Sequence, residues 1–162
     1  MKNSKKAAKI AKRGVEIGGT DAMWLLGSLY ARGEGVRLDK KKAMQVSRMA
    51  ADRGHPHAQM VMGVLLRESE NFDEAFHYFK LGAEQGLTQG ERLLGSSYAY
   101  GQGVATNLLE AMRWFERAAA KGDQKAVDLL AAMKKRLDHV RAHAANGNEE
   151  AIAELAKYFK PA

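Results

Sequence analysis

The chain has 162 residues, of which 46% are hydrophobic and 28% charged, which is typical of one folded domain with its own core. No apolar run approaches the roughly 20 residues of a membrane span, and the basic N-terminus lacks the apolar stretch of a secretory signal, so we expect a cytoplasmic protein. Cysteine is absent, which excludes disulfides, thiolate nucleophiles and zinc sites built on sulfur.

The first predicted element is a basic helix over residues 5–17 that caps the fold. Residues 1–13 contain six lysines and arginines and no acid, so they contribute +6 of the formal net charge of +7. The rest of the chain is nearly neutral, and we expect the basic helix to present a solvated face. Its alternative role is association with nucleic acid or an anionic surface, mainly through electrostatic attraction.

Three copies of a helix-pair pattern follow the basic helix. In each copy, two segments have apolar and small residues at helical spacing, and no strand pattern competes. One column of the pattern contains Gly27, Gly63 and Gly95, a second contains Ala43, Ala75 and Ala111, and a third contains Gly54, Gly86 and Gly122. The middle copy is four residues shorter between Gly63 and Ala75. This deficit predicts either a truncated first helix or a tight turn at that link.

Several residues have the spacing of helix-start signals. Pro56 suits a first helical turn, and Asn71 and Asn107 are expected to cap the helices that follow them. Thr88 and Glu91 have the Thr-x-x-Glu spacing of a capping box. The glycine column at Gly54, Gly86 and Gly122 is expected to end the second helices in the left-handed conformation.

The stretches Gly33-x-Gly35 and Gly101-x-Gly103 could be taken for phosphate-binding loops. Such loops follow a strand, precede a helix N-terminus and contain further glycines or a Lys-Ser/Thr pair, and these stretches have none of that context. We therefore predict that both stretches terminate the first helix of their copy.

These columns resemble the Sel1-like repeat, a relative of the tetratricopeptide repeat. In the first copy the matching residues are Ala22, Leu26-Gly27, Tyr30, Gly33-x-Gly35-Val36, Asp39, Lys42-Ala43, Ala50-Ala51 and Gly54. In the third copy they are Leu94-Gly95, Tyr98, Gly101-x-Gly103-Val104, Asn107, Glu110-Ala111, Trp114-Phe115, Ala118-Ala119 and Gly122. The first copy departs from the pattern by having Val46-Ser47 where the other copies have an aromatic pair, Tyr78-Phe79 and Trp114-Phe115. These aromatic residues lie in the second helices and are expected to fill the core between repeats. The resemblance implies an all-α fold, a right-handed superhelical α/α solenoid of helix-turn-helix repeats.

The predicted organisation is a single solenoid domain over residues 1–162. Its parts are the capping helix at 5–17, repeats at 19–54, 55–86 (with the shortened link) and 87–122, and a degenerate repeat with C-terminal capping helices at 123–162. The segment 123–146 is either one long helix or two, and a short helix is expected at 149–159.

The resemblance implies a non-catalytic scaffold or adaptor for a protein or peptide partner, in a bacterial signalling, secretion or regulatory context. No small-molecule substrate, cofactor, metal or catalytic residue is expected. No serine lies in a Gly-x-Ser-x-Gly context, and His139 with His143 lacks a third ligand in the pattern. Some cysteine-rich secreted members of the family are linked to β-lactams, but this chain has no cysteine.

The tetratricopeptide analogy predicts that a partner binds the concave face formed by the first helices of the repeats. The expected contact residues are Trp24, Arg32, His57, Met60, Arg67, Gln89, Arg92 and Tyr100. A weaker extension of the same pattern to the last copy adds Lys125, Asp128, Lys135 and Arg136. Aromatic residues with arginine are typical of interface hot spots, so we expect an apolar contact and acidic groups on the partner. Charge reversal at Arg67 or Arg92 is expected to abolish partner capture without unfolding. The alternative is that these side chains only pack between neighbouring first helices.

Overall fold

The computed structural model describes residues 2–158, and these residues form nine α-helices with no β-strand. In chain order the helices are α1 (Lys2–Glu16), α2 (Thr20–Arg32), α3 (Lys40–Ala51), α4 (Pro56–Glu68), α5 (Phe72–Glu84), α6 (Thr88–Tyr100), α7 (Leu108–Ala120), α8 (Gln124–Ala145) and α9 (Glu149–Tyr158). The all-α prediction is confirmed, and the segment from residue 124 is one helix of 22 residues. Residue 159, the last of the predicted C-terminal helix, lies outside the described residues. None of the described helices is long and apolar enough to cross a membrane.

Two compact units divide the chain at Gln85 and Gly86. In the first unit α1 packs on α2, α2 on α3, α3 on α4 and α4 on α5, and α2 also contacts α4. In the second unit α6 packs on α7, α7 on α8 and α8 on α9. Each unit therefore buries its apolar stripes by stacking neighbouring helices, as a helix pair that cannot build a core alone requires.

The column glycine in the first helix of a repeat makes room for an aromatic ring from the second helix. A Cβ atom placed on Gly63 would lie 2.6 Å from Phe79 Cε1, and one on Gly95 would lie 2.9 Å from Phe115 Cδ1. Both phenylalanines are only 1% exposed. These rings therefore lie between the two helices of the α4–α5 and α6–α7 pairs, and the prediction that they are buried in the core is confirmed.

The first repeat solves the same packing problem without an aromatic residue. Ser47 occupies the column of Phe79 and Phe115, and it is fully buried. A Cβ atom on Gly27 would lie 2.1 Å from Ser47 Oγ and 3.3 Å from the Ser47 backbone nitrogen. The backbone of α3 thus approaches α2 directly, because a small side chain at this position leaves no ring between them.

The paired glycines end helices, as predicted. Gly33 and Gly101 have φ angles of 69° and 67°, and their backbone N–H groups donate to the carbonyls of Leu29 and Ser97. This left-handed conformation is disfavoured for residues with a Cβ atom, and it closes the end of the helix.

The shorter link of the middle repeat is a tight turn, so the second of the two predicted outcomes is confirmed. Helix α4 keeps 13 residues, the same length as α2 and α6. Three residues, 69–71, connect α4 to α5, and Glu70 adopts φ 60°. The four-residue deficit therefore falls in the connection, and the helix is intact.

The helix-start predictions had mixed outcomes. Pro56 occupies the first turn of α4, and the Asn107 side chain accepts a hydrogen bond from the backbone N–H of Glu110 at 3.0 Å. Asn71 stands at the N-cap of α5 without a side-chain cap bond. The capping box at Thr88 is wrong, because Leu87 is the N-cap of α6 and the Glu91 side chain is buried against α7.

A contact between a buried residue of the first helix and an exposed residue just after the second helix recurs in every repeat. The first residue of the contact lies four positions before the glycine of the first helix (Gly27, Gly63 or Gly95). The second residue lies one position before the glycine that follows the second helix (Gly54, Gly86 or Gly122). The three pairs are Met23 Sδ with Arg53 Nη1 at 3.6 Å, Gln59 Oε1 with Gln85 Nε2 at 2.6 Å, and Glu91 Oε1 with Lys121 Nζ at 2.9 Å. The two helices of each repeat are therefore joined at the same place by different chemistry.

Candidate functional site

Three rings cluster where α2 meets the start of α4 in the first unit. The Trp24 ring stacks on His55 with centroids 5.6 Å apart and lies 5.2 Å from His57. His55 Nδ1 accepts a hydrogen bond from the backbone N–H of Ala58, so Nε2 is the nitrogen that donates to Asp21 Oδ1 at 2.9 Å. Trp24 is half-buried and His57 is exposed. This part of the predicted surface thus combines helix capping with one accessible ring.

The two arginines predicted in the first unit differ in what they contact. Arg32 is exposed, and its Nε lies 3.2 Å from Glu34 Oε1. Arg67 is half-buried, and its guanidinium carbon lies 5.7 Å from the centroid of the Phe79 ring. Within residues 2–158 Arg67 forms no ion pair, so its charge is balanced only by the ring and by solvent.

Met60 was predicted to contact a partner, but the structure buries it. Its side chain is 4% exposed, in the part of α4 that packs against neighbouring helices. A residue in this environment stabilises the fold and offers no surface to a partner. Met60 is therefore withdrawn from the candidate site.

Arg92 in the second unit is engaged in a partly buried ion pair. Its Nε lies 2.9 Å from Asp123 Oδ2, and the two side chains are only 18% and 15% exposed. Asp123 also caps α8 by accepting the backbone N–H of Ala126 at 3.0 Å. Burial acts to raise the pKa of Asp123, but the Ala126 N–H and the Arg92 guanidinium outweigh it and hold the pKa below the usual value. We therefore expect charge reversal at Arg92 to disturb the fold, which differs from the expectation from sequence that the fold stays intact.

The Asp123→Asn substitution is expected to lower the free energy of unfolding by about 1–2 kcal/mol at neutral pH, since asparagine still caps α8 but leaves Arg92 without its anion. Because the folded-state pKa is lowered, the stabilisation is complete above the unfolded pKa of 3.8 and is lost as the pH falls through the folded value. Urea denaturation of both proteins across pH should show the difference shrinking below that point. A difference independent of pH would contradict a charge-based role.

Tyr100, at the C-terminal end of α6, lies at a cleft of about 890 Å³ within the second unit. Its side chain is 67% exposed, which is unusual for a ring of this size. The floor of the cleft contains Phe115 from α7 with Leu129 and Met133 from α8. Gln89, the other predicted residue of this unit, is exposed near the start of α6 and does not line the cleft.

Charged residues of α8 and α9 line one side of this cleft. Arg136 donates from Nε and Nη2 to Glu154 Oε1 at 3.1 and 2.6 Å. Glu150 also lines the cleft, and no ion pair holds it within residues 2–158. Of these three lining residues, Glu150 is therefore the one whose charge is available to a partner.

Among the cleft residues of α8 and α9, the sequence pattern selected only Arg136, through its weaker extension to the last copy. The other cleft residues of these helices were not selected, because α8 has no loop signal that would define its inner face. The apolar spacing of Leu129 and Met133, four residues apart, was the one available signal. No group of three or more potential metal ligands lies together among the described residues.

The Sel1 repeat model matches residues 20–55, 56–87 and 88–123, in register with the pairs α2–α3, α4–α5 and α6–α7. The chain belongs to the Sel1 repeat family. Its fold is accordingly an all-α helical-repeat solenoid.

The Sel1 repeats of this chain are similar to those of known regulators and binding proteins. DAP3-binding cell death enhancer 1 of Rattus norvegicus is 36% identical over 94 residues, covering 57% of this chain and 18% of that protein. The chitin synthase regulator SKT5 of Saccharomyces cerevisiae is 25% identical over 135 residues, covering 79% of this chain and 19% of that protein. The chain thus spans about a fifth of the length of these curated relatives.

A solved Sel1-type structure is similar to most of the chain. It is c5321, a protective antigen of uropathogenic Escherichia coli strains with an SLR fold. The TM-score is 0.74 at 31% identity, covering 90% of this chain and 34% of that one. The chain is thus similar to parts of a DAP3-binding protein and of a regulator of chitin synthase.

Proposed function

We propose that this chain is a non-catalytic interaction adaptor and that the cleft beside Tyr100 receives a peptide segment of a protein partner. Membership of the Sel1 repeat family and the roles of its relatives support the general role. The observation that carries the site is the exposed Tyr100 ring above an apolar floor. A volume of about 890 Å³ lies within the usual range of ligand sites, and tyrosine is enriched at interface hot spots.

The charges beside the cleft determine the partner chemistry that we propose. Glu150 carries a negative charge that no ion pair holds within residues 2–158, so an apolar anchor next to a lysine or arginine complements the cleft. An acidic partner, which the sequence favoured, is not proposed for this cleft. Arg92, the expected cation of this unit, is paired with Asp123.

The exposed or half-buried positions of the first unit remain proposed contacts for the same or another segment of a partner. They are Trp24, Arg32, His57 and Arg67, and Gln89 is the corresponding exposed position of the second unit. The bacterial and cytoplasmic setting also remains a prediction from the sequence.

The Tyr100→Ala variant is expected to weaken peptide binding by about tenfold or more, because truncation removes the main exposed ring at the cleft. The probe is a peptide selected from a random library against the whole chain, and its affinity is measured by fluorescence anisotropy. Glu150→Lys is expected to weaken the same peptide further, since the selected sequence should contain a basic residue beside its apolar anchor.

The matched control is Val127→Ala. Val127 is an apolar residue on α8 that is 40% exposed and does not line the cleft, so its truncation should change affinity by less than about twofold. Selection of no peptide, or equal affinity for Tyr100→Ala and the original chain, would overturn the assignment of the cleft.

A further inference from the structure

A second cleft, of about 610 Å³, lies within the first unit and is lined by three cations from three different elements. Lys12 comes from α1, Arg37 from the loop between α2 and α3, and Lys42 from the first turn of α3. The Tyr30 ring forms part of the wall, and Asp39 is the one acid of the lining. The cleft therefore has an excess of positive charge that no single helix accounts for.

Asp39 caps helix α3, and its single negative charge does not neutralise the three positive charges of the cleft. Its Oδ1 accepts the backbone N–H of Lys42 at 2.9 Å, and its Oδ2 lies 3.5 Å from Lys42 Nζ. The hydrogen bond from the Lys42 backbone is the main reason that the pKa of Asp39 lies below its usual value, so the group is ionised at neutral pH. Lys12 and Arg37 pair with no carboxylate within the described part of the chain. Their charge is left for an external anion.

The corresponding loop of the third repeat provides a comparison inside the same molecule. Both loops contain two left-handed glycines, with φ angles of 69° and 71° at Gly33 and Gly35 and of 67° and 73° at Gly101 and Gly103. Ala105 stands at the position of Arg37, and Glu110 stands at the position of Lys42. The turn is the same and the charges are not. The cationic cleft is thus a property of the side chains of the first repeat and of α1.

We propose that this cleft binds a phosphate monoester or pyrophosphate group, from a free phosphorylated small molecule or from a lipid headgroup. The Arg37 guanidinium presents a planar fork of donors that matches two phosphate oxygens, and Lys12 adds a compact point charge. Lys42 adds a third positive charge and lies with its Nζ 5.8 Å from the centroid of the Tyr30 ring. The glycines only shape the turn, which agrees with the absence of a phosphate-loop pattern in the sequence.

The Lys12→Gln/Arg37→Gln double variant is expected to lower the affinity for pyrophosphate by about tenfold or more. The measurement is calorimetric titration of the whole chain with pyrophosphate at low ionic strength. The matched control is Lys6→Gln/Arg13→Gln, which removes the same net charge from exposed positions of α1 that do not line the cleft. It should change affinity by about twofold or less, because only diffuse attraction is lost.

The outcomes separate the cleft from general attraction to a basic surface. Equal losses in the two double variants would overturn the proposal in favour of diffuse binding by α1, such as to nucleic acid, and undetectable binding by the original chain would also overturn it. All four positions are exposed, so circular dichroism and thermal unfolding should match those of the original chain in both variants.

A vesicle experiment distinguishes the two sources of the phosphate. Vesicles containing phosphatidic acid present a phosphate monoester, and vesicles containing phosphatidylserine at equal surface charge do not. Preference for phosphatidic acid that disappears in Lys12→Gln/Arg37→Gln supports the proposal with a headgroup as ligand. Binding of pyrophosphate with no preference between the vesicles supports it with a free phosphorylated molecule.

Discussion

Replacing Phe115 by alanine is expected to lower the free energy of unfolding by about 3–5 kcal/mol. The ring is 1% exposed and lies against Gly95, within a core cluster that also contains Ala111, Ala118 and Ala126. The buried members of this cluster are alanines, which cannot extend into the space that the ring leaves, so part of the cavity should persist. Urea denaturation followed by circular dichroism measures the loss.

Two further variants calibrate this expectation. Phe115→Leu retains much of the volume and should lower the free energy of unfolding by about 1–2 kcal/mol. Val127→Ala removes a partly exposed side chain of the same unit and should stay within about 0.5 kcal/mol. A loss below about 1 kcal/mol in Phe115→Ala would contradict the central packing role of the ring.

Replacing Glu91 by alanine is expected to lower the free energy of unfolding by about 2–3 kcal/mol. The Glu91 side chain is fully buried, and its Oε1 lies 3.0 Å from Arg117 Nη2 and 2.9 Å from Lys121 Nζ. Its removal leaves a cavity and breaks the link between α6 and α7. The two cations are 56% and 39% exposed, so they regain solvent, which keeps the loss below that of stranding a buried charge.

The second repeat supplies the control for this experiment. Gln59 and Gln85 form the equivalent pair there at 2.6 Å without any charge. The double variant Glu91→Gln/Lys121→Gln copies that pair into the third repeat and should recover most of the stability that Glu91→Ala loses. If the double variant is as unstable as Glu91→Ala, then the ion pair itself, rather than a satisfied buried contact, is what the position requires.

The elements that sequence predicted well are those set by short stretches of chain. The glycine stops at Gly33 and Gly101, the cap at Asn107 and the buried rings at Phe79 and Phe115 all follow from local periodicity or from the φ angle that a turn needs. The four-residue deficit of the middle repeat was also located correctly. The sequence did not decide whether the helix or the turn is shorter, because both would remove four residues between Gly63 and Ala75. The structure shortens the turn, since the three residues 69–71 are enough to connect α4 and α5.

The errors share a different cause. Glu91 has the spacing of a local cap, yet it pairs with Lys121, 30 residues away. Met23, Gln59 and Glu91 each lie four residues before the glycine of the first helix, so they share the helix face of that glycine. Aligning the repeats on this glycine was therefore the available signal that the Glu91 position is buried. A capping motif is read within four residues, and that short window cannot show a partner on another helix.

The candidate site shows the same division. Sequence selected Tyr100 as a contact residue, and the cleft beside it depends on side chains of α8 and α9 that reach it only through packing. Arg92 was expected to face a partner, and its pairing with Asp123 spans 31 residues. Which arginine is left for a partner therefore could not be read from spacing alone.

For this protein the sequence alone determined the repeat architecture, the helix ends and the charge of α1, because hydrophobic period, capping chemistry and glycine conformation act within a few residues. The tertiary structure alone decided which charges are paired and where clefts form. Lys12, Arg37 and Lys42 meet only because α1 packs against the first repeat, with Gly35 so close that a Cβ there would lie 2.1 Å from the Ser4 carbonyl oxygen. Such meetings depend on distances between helices that are far apart in the chain, and no short pattern encodes them.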